Sequence, residues 1–328
     1  MCPASPSVEL PALLEWVTAS RSLVDNALLA HGGLLLRGWP VRDAVAFDTL
    51  MHALGVLPKP YVGGAAVRHV VHGGVFTSNE SPPSETIPFH HEMALVASPP
   101  SRIAFFCERP AASGGETSIL LSGELCARVA ARVPEFCERL EAEGLVYHRV
   151  LSEEDDAASA QGRGWKSTYA ATKESAEAAM RTTVRSARCL RFSTRFSYRI
   201  APPSTDAVVP QGVSSWQWRE DGSLRTSTSA LPAFKTDPRT GERLFFNALA
   251  AVYLGWTDAR NAGPDSVRFG GGGALPAEDV RAVAKEMAAL AVDIPWRQGD
   301  VMLLDNSRVM HARRPFAPPR RILAYICE

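Results

Sequence analysis

The sequence predicts an α+β fold that is mainly β: a jelly-roll (double-stranded β-helix) core with flanking helices and a lid-like insertion. Three observations predict it. Short apolar runs of strand length, such as Leu34 to Leu36, Ile103 to Cys107, Val301 to Leu304 and Ile322 to Cys327, are punctuated by Gly, Pro and Asn turns. Helical periodicity is gathered at the N-terminus and in the middle of the chain, outside those runs. At 328 residues and 46% hydrophobic content, one large domain spanning 1–328 has enough apolar mass to form a substantial core.

Taken in order, residues 10–19, 23–30 and 41–54 read as amphipathic helices, with a buried strand at 33–38 between them. Residues 68–75 read as a strand, and a Ser- and Pro-rich loop then delivers the chain to His90. Strands are expected at 102–107 and 117–121, separated by the Gly114-Gly115 turn, followed by helices at 122–132 and 133–143 and a strand at 145–150. Residues 152–222 are polar and carry an Ala-rich helix from Lys173 and short strands near 190–200. This stretch reads as an insertion covering one end of a barrel. The four glycines Gly270 to Gly273 suggest a flexible loop at the pocket mouth. A helix at 276–290, with Pro at its start and acids in its first turn, precedes a buried strand at 301–304 and a final strand at 321–327.

Composition excludes several functions. With 35 basic and 35 acidic residues and no basic run, a nucleic-acid partner is not expected. No apolar stretch approaches the ~20 residues that span a bilayer, and no secretory signal is visible at the start. The six scattered cysteines form no CxxC pair, which points to free thiols in a reducing cytoplasm. Self-association is left open.

The chemistry is concentrated in His90-His91-Glu92, His311 and the Arg320-Arg321 pair. On a strand, His90 and Glu92 would share one face, with His91 on the other. A second imidazole, about 220 residues later, would complete a 2-His-1-carboxylate set with open positions for iron(II), a co-substrate and dioxygen. A guanidinium ten residues past His311 suits a carboxylate beside that metal. Alone, an HxE triplet occurs by chance, and zinc could use the same donors. A zinc hydrolase would be expected to carry a helical HxxxH or a nearby general base, and neither is evident.

Four stretches occur in one order: Pro88-Phe89-His90-His91-Glu92-Met93, Phe106-Cys107-Glu108-Arg109-Pro110, Gly114-Gly115-Glu116-Thr117, and Gly299 to Leu323. Together they resemble the TauD/TfdA family of iron(II)/2-oxoglutarate-dependent dioxygenases, in its His-x-Glu branch of amino-acid hydroxylases and clavaminate synthase-like enzymes. The resemblance is thin from Ser152 to Gly222. It implies that His90, Glu92 and His311 bind iron(II), that Arg321 pairs with the distal carboxylate of 2-oxoglutarate, and that Thr117 hydrogen-bonds the same co-substrate. Arg320 is the alternative to Arg321, since strand alternation selects one of the two. Asn306 is expected to stabilise the turn before His311, and His91 to be a solvent-facing or supporting residue.

The same resemblance implies an enzyme that consumes O2 and 2-oxoglutarate, releases succinate and CO2, and hydroxylates an amino acid or amino-acid-derived small molecule in natural-product biosynthesis. The intact Glu92 favours oxygen insertion over halogen transfer. Desaturation or ring closure by the same family chemistry, and a non-catalytic jelly-roll binding protein, are the competing readings. His91 stands where the branch often has Asn, and Gly270 to Gly273 lie where relatives often carry an Asp. Arg313, Arg314, Glu80 and Arg225 are candidate substrate contacts.

Overall fold

The computed structural model describes the chain except residues 3–7, 62, 97, 191–212, 256–257 and 262 and the side chains of 182–190. Its centre is a pair of antiparallel sheets. One has six strands, in the order Gly33–Leu36, Val301–Asp305, Arg102–Arg109, Arg321–Cys327, Val75–Thr77 and Val70–His72. The other has four, in the order Val292–Ile294, Thr117–Leu121, Val309–Arg313 and Ile87–His90.

The apolar runs explain this arrangement. Phe105, Met302, Leu304, Ile322 and Ile326 of the larger sheet meet Val309 and Ile119 of the smaller one in a shared core. Alternate residues of the larger sheet, including Phe106, Leu303, Leu323 and Tyr325, pack on its other face against Leu13, Val24, Leu28, Phe47 and Leu50 from the N-terminal helices. Phe47 stacks on Phe106 at 5.4 Å between ring centroids. Strands covered on both faces need apolar residues at every position, which is why these runs do not alternate. The covering helix Ala44–Ala53 starts where the Asp43 carboxylate accepts from the Ala46 amide at 2.8 Å. Outside the smaller sheet lie helices Ser122–Arg132, Pro134–Glu143, Leu249–Leu254 and Ala277–Leu290, whose Leu125, Val129, Leu140, Leu249 and Val283 bury Leu120 and Met310.

A further antiparallel sheet, Val267–Phe269, Leu145–Leu151, Leu224–Thr228 and Val213–Trp218, joins the inserted segment to the body. There Leu151 and Leu224 pack with Trp165, Ala176 and Met180. The short strands expected near 190–200 fall almost wholly outside the described residues. The helix Lys173–Leu190 runs longer than its Ala-rich start suggested.

Two expectations are corrected. Residues 68–75 are not one strand: Gly73, at φ 51°, turns the chain between Val70–His72 and Val75–Thr77. The glycine run does not border the cavity described below. It packs on the end of Pro134–Glu143, where the Gly270 amide donates to the Gly144 carbonyl and a Cβ at Gly270 would stand 1.9 Å from the Glu143 carbonyl oxygen. Close backbone contact therefore requires glycine at position 270. Cys107, Cys126, Cys137 and Cys327 are buried free thiols and Cys2 is an exposed one. Among the described residues no helix is long and apolar enough to cross a membrane.

Candidate active site

The strands Ile87–His90 and Val309–Arg313 are neighbours, and their register sets His311 opposite His90. The two imidazole centroids are 4.4 Å apart. Glu92 arrives by a different route from the one expected. The strand ends at His90, Glu92 lies in a turn, and Met93 takes φ 54°. The turn, not strand alternation, brings the carboxylate back over the imidazoles. Ligand atoms of His90, Glu92 and His311 all lie within 4.8 Å of one another, with Glu92 Oε2 3.7 Å from His311 Nε2.

Asn306 holds that turn in place. Its Oδ1 accepts from the Glu92 amide at 2.8 Å, while Nδ2 donates to the carbonyls of Glu92 and Pro100 at 3.0 and 2.8 Å. The residue expected to stabilise its own turn therefore clamps the main chain of the ligand-bearing one. His91 is buried rather than solvent-facing. Its Nδ1 lies 2.6 Å from the Asn306 carbonyl and its Nε2 2.8 Å from Ser122 Oγ. Burial pushes the His91 imidazole down to about 3 and keeps it neutral.

The donor set suits a divalent metal. His90 Nδ1 lies 2.8 Å from the Pro88 carbonyl, a contact that places the proton on Nδ1 and leaves the Nε2 lone pair to ligate. Burial lowers the His90 and His311 pKa values, and His90 and Arg68 lower that of His311 further, so both rings are in the neutral, ligating form. His311 Nδ1 is buried without a hydrogen-bond partner. Two imidazoles and one carboxylate with room around them match the facial set of non-haem iron(II) sites. Glu92 also meets a residue that sequence reasoning missed. The Arg68 guanidinium, buried beside it, donates from Nη2 to Oε2 at 2.9 Å. No local pattern marks Arg68, which meets Glu92 only in the tertiary structure.

These groups open into a cavity also lined by Tyr61, Phe105, Thr117, Arg313, Arg320 and Ile322. Thr117 is buried, and its Oγ1 accepts from Trp296 Nε1 at 3.0 Å, which leaves its own hydroxyl proton to donate. The expectation for Arg321 fails. Arg320, just before the strand Arg321–Cys327, and Ile322 line the cavity, whereas Arg321 is 53% exposed and ion-paired with Glu108 at 2.7 Å. Arg320 donates from Nε to the Gly115 carbonyl at 3.0 Å. Burial and the nearby Arg313 charge lower the Arg320 pKa to about 10, which leaves it protonated at neutral pH.

Arg313 also lines the cavity, but main-chain carbonyls of Ser81, Pro82 and Glu85 take its donors at 2.8 to 3.0 Å. The other charged residues offered by the sequence lie elsewhere. Arg314 pairs with Asp293 at the surface, Glu80 is exposed, and Arg225 borders a separate concavity.

Comparison with known proteins gives this geometry a family. The taurine catabolism dioxygenase TauD, TfdA family is matched over residues 2–326, and the chain belongs to that family of iron(II)- and 2-oxoglutarate-dependent oxygenases. It is 41% identical over 324 residues to a clavaminate synthase-like protein of Arabidopsis thaliana, covering 98% of this chain and 89% of that one. It is 23% identical over 311 residues to the dapdiamide synthesis protein DdaC of Enterobacter agglomerans, covering 91% and 83%. Among solved structures, the PvcB protein of Pseudomonas aeruginosa superposes with a TM-score of 0.50 at 13% identity, covering 99% of this chain and 84% of that one. That last likeness concerns the fold alone.

Proposed function

We propose that the protein is a hydroxylase acting on an unactivated C–H bond of an amino acid, or of a small molecule derived from one, in a biosynthetic pathway. His90, Glu92 and His311 hold iron(II). Arg320, in place of Arg321, takes the distal carboxylate of 2-oxoglutarate, and Thr117 donates a hydrogen bond to the same co-substrate. The observation that carries this reading is that one cavity is lined by all five residues. Bound iron(II) and 2-oxoglutarate supply the activation of O2 and the oxidation of the substrate.

The chain's own residues bind, orient and exclude. Neutral imidazoles at His90 and His311 present lone pairs, and the Asn306 clamp aims the Glu92 carboxylate. Met93, Leu95 and Phe105 make the wall apolar and limit water. Two antiparallel sheets sharing one apolar core support the jelly-roll reading, with 1–328 acting as one catalytic domain. The described part of the 152–222 insertion serves as its lid, supported by the Arg163 guanidinium donating to the Tyr61 carbonyl at 2.6 Å and by Ala160 on the cavity wall. The biosynthetic setting rests on the names of the two relatives, one clavaminate synthase-like and one a dapdiamide synthesis protein.

Anaerobic addition of iron(II) and 2-oxoglutarate should produce a visible metal-to-ligand charge-transfer band. Under air, one of the standard amino acids should then drive succinate release and gain one oxygen atom in mass. Absence of the band from intact protein overturns the metal and co-substrate assignment. A product lighter by two hydrogens would replace hydroxylation with desaturation or ring closure.

A further inference from the structure

The antiparallel sheet Val267–Phe269, Leu145–Leu151, Leu224–Thr228 and Val213–Trp218 has two faces of opposite character. On one, Leu151, Leu224, Trp216 and Trp218 pack with Trp165 and Met180. Strand alternation sends His148, Val150, Gln217, Arg225 and Arg268 to the other. There they border a concavity of about 540 Å³, whose rim also carries Arg219, Arg260 and Ser266. None of the described residues that line it also lines the catalytic cavity.

The charge around this concavity is one-sided. Among the described residues on its wall, four guanidinium groups stand against a single carboxylate, Asp265. Asp265 is 82% exposed and paired with Arg268 at 2.8 Å, and Arg260 reaches back to Asp156 at 2.7 Å. Arg219 and Arg225 are exposed and form no ion pair among the described residues. The acids that follow Arg219 do not neutralise it. Glu220 lies outside the wall, and the Asp221 carboxylate accepts from the Ser223 amide and hydroxyl. Elsewhere on the surface Arg139, Arg181, Arg243 and Arg314 each meet a carboxylate. Gathering unmatched like charge costs stability unless a counter-charge joins it.

Neutral donors gather at the same place. Ser266 is only 5% exposed and lines the concavity, yet its hydroxyl has no hydrogen-bond partner among the described residues. His148 Nδ1 lies 2.8 Å from Ser227 Oγ, and the ring's other nitrogen has no described partner. Burial, then the Arg225 and Arg268 charges, hold the His148 imidazole below its usual pKa, so both cations bear on the space that this ring borders. Among the described residues, Val150 is the only aliphatic side chain on the wall, which suits a polar ligand. Arginine forks match phosphoryl oxygens two at a time, and hydroxyl donors can serve the remaining one. A bare phosphate would leave most of the volume empty, so the phosphoryl group is best carried on a polar body.

We propose that this concavity is a second binding site, for a phosphate monoester of a small polar molecule of sugar-phosphate size, with Arg219 and Arg225 taking the phosphoryl group. The site stands apart from the iron centre and does not depend on which residues ligate the metal.

The probes are ribose 5-phosphate and glycerol 3-phosphate, with ribose, glycerol and tricarballylate as controls. Each is titrated calorimetrically, at fixed ionic strength, into anaerobic full-length protein loaded with iron(II) and saturating 2-oxoglutarate. At least one ester should bind saturably, one per chain, with its unphosphorylated parent at least about tenfold weaker, as expected when charge-assisted hydrogen bonds are lost. Arg219→Gln and Arg225→Gln should each weaken the ester about tenfold or more, while Arg320→Ala leaves it unchanged. Both substitutions fall on exposed side chains, and the comparison of ester with parent needs no variant at all. Absence of saturable ester binding, equal binding of ester and parent, or unchanged binding by both glutamine variants overturns the proposal. Loss of ester binding in Arg320→Ala would place the ester in the catalytic cavity and overturn it as well. Tricarballylate binding as tightly as the esters would overturn the phosphoryl assignment.

Discussion

The two ends of the cavity are built by opposite means. At the metal end, two neighbouring strands and a clamped turn converge, and several contacts tie down the turn that carries Glu92. Asn306 alone makes three hydrogen bonds from its amide, two of them to the main chain of Glu92, and His91 anchors its carbonyl. At the other end, two adjacent arginines stand at the start of the strand Arg321–Cys327, and one of the two lines the cavity. Arg320 points in and Arg321 points out, although they are adjacent. A site held by several contacts tolerates small errors of placement, whereas adjacent arginines of opposite exposure admit no intermediate outcome.

The sharpest way to break this contrast is at the metal. His311→Ala or His90→Ala should abolish iron(II) binding and succinate formation, read by anaerobic metal titration. Normal metal uptake by either variant would remove that residue from the ligand set. Next is Arg320→Ala, which should weaken 2-oxoglutarate binding by ~1.5–3 kcal/mol, the usual loss for a hydrogen bond to a charged group. The titration midpoint of the charge-transfer band measures it, and an unchanged midpoint would take the co-substrate away from Arg320.

Asn306→Ala sharpens the comparison by loosening the turn without touching a ligand. Metal affinity should fall roughly 10- to 100-fold, the range common for residues that orient ligands. An intact affinity would mean that the turn holds Glu92 unaided. Thr117→Val should cost about 0.5–1.5 kcal/mol in co-substrate binding, since a neutral hydrogen bond is lost. The smallest effect belongs to Arg321→Ala. Its ion pair with Glu108 is solvent-exposed, so thermal unfolding and 2-oxoglutarate binding should both move by less than about 1 kcal/mol. A larger effect there than at Arg320 would return the co-substrate to Arg321.

Much of this was legible in residues. Helices such as Leu10–Ala19 and Ala277–Leu290 follow their periodicity and turn signals, and strands Thr117–Leu121 and Arg321–Cys327 begin where the apolar runs do. His90, Glu92 and His311 stood out because metal ligation demands particular side chains in a sparse pattern. The inner and outer faces of Arg321–Cys327 were not legible. Ile322, Ala324 and Ile326 face the shared core, while Leu323 and Tyr325 face the N-terminal helices, so both faces are apolar and no alternation betrays the inward one. The place of the glycine run was not legible, because a glycine needed for close packing, as at Gly270, looks the same as one needed for looseness.

Sequence alone determined which donor atoms exist and the order in which the chain presents them, because metal and carboxylate chemistry restrict residue type strongly. It also determined which segments must be buried, because apolar runs have no other stable place. Only the tertiary structure decided that Arg320 faces the cavity, that Asn306 reaches across 214 positions to hold the Glu92 amide, and that Arg68 lies against that carboxylate. Each of these depends on direction and distance between segments remote in the chain. Such relations are set by packing, and no local pattern of residues encodes them.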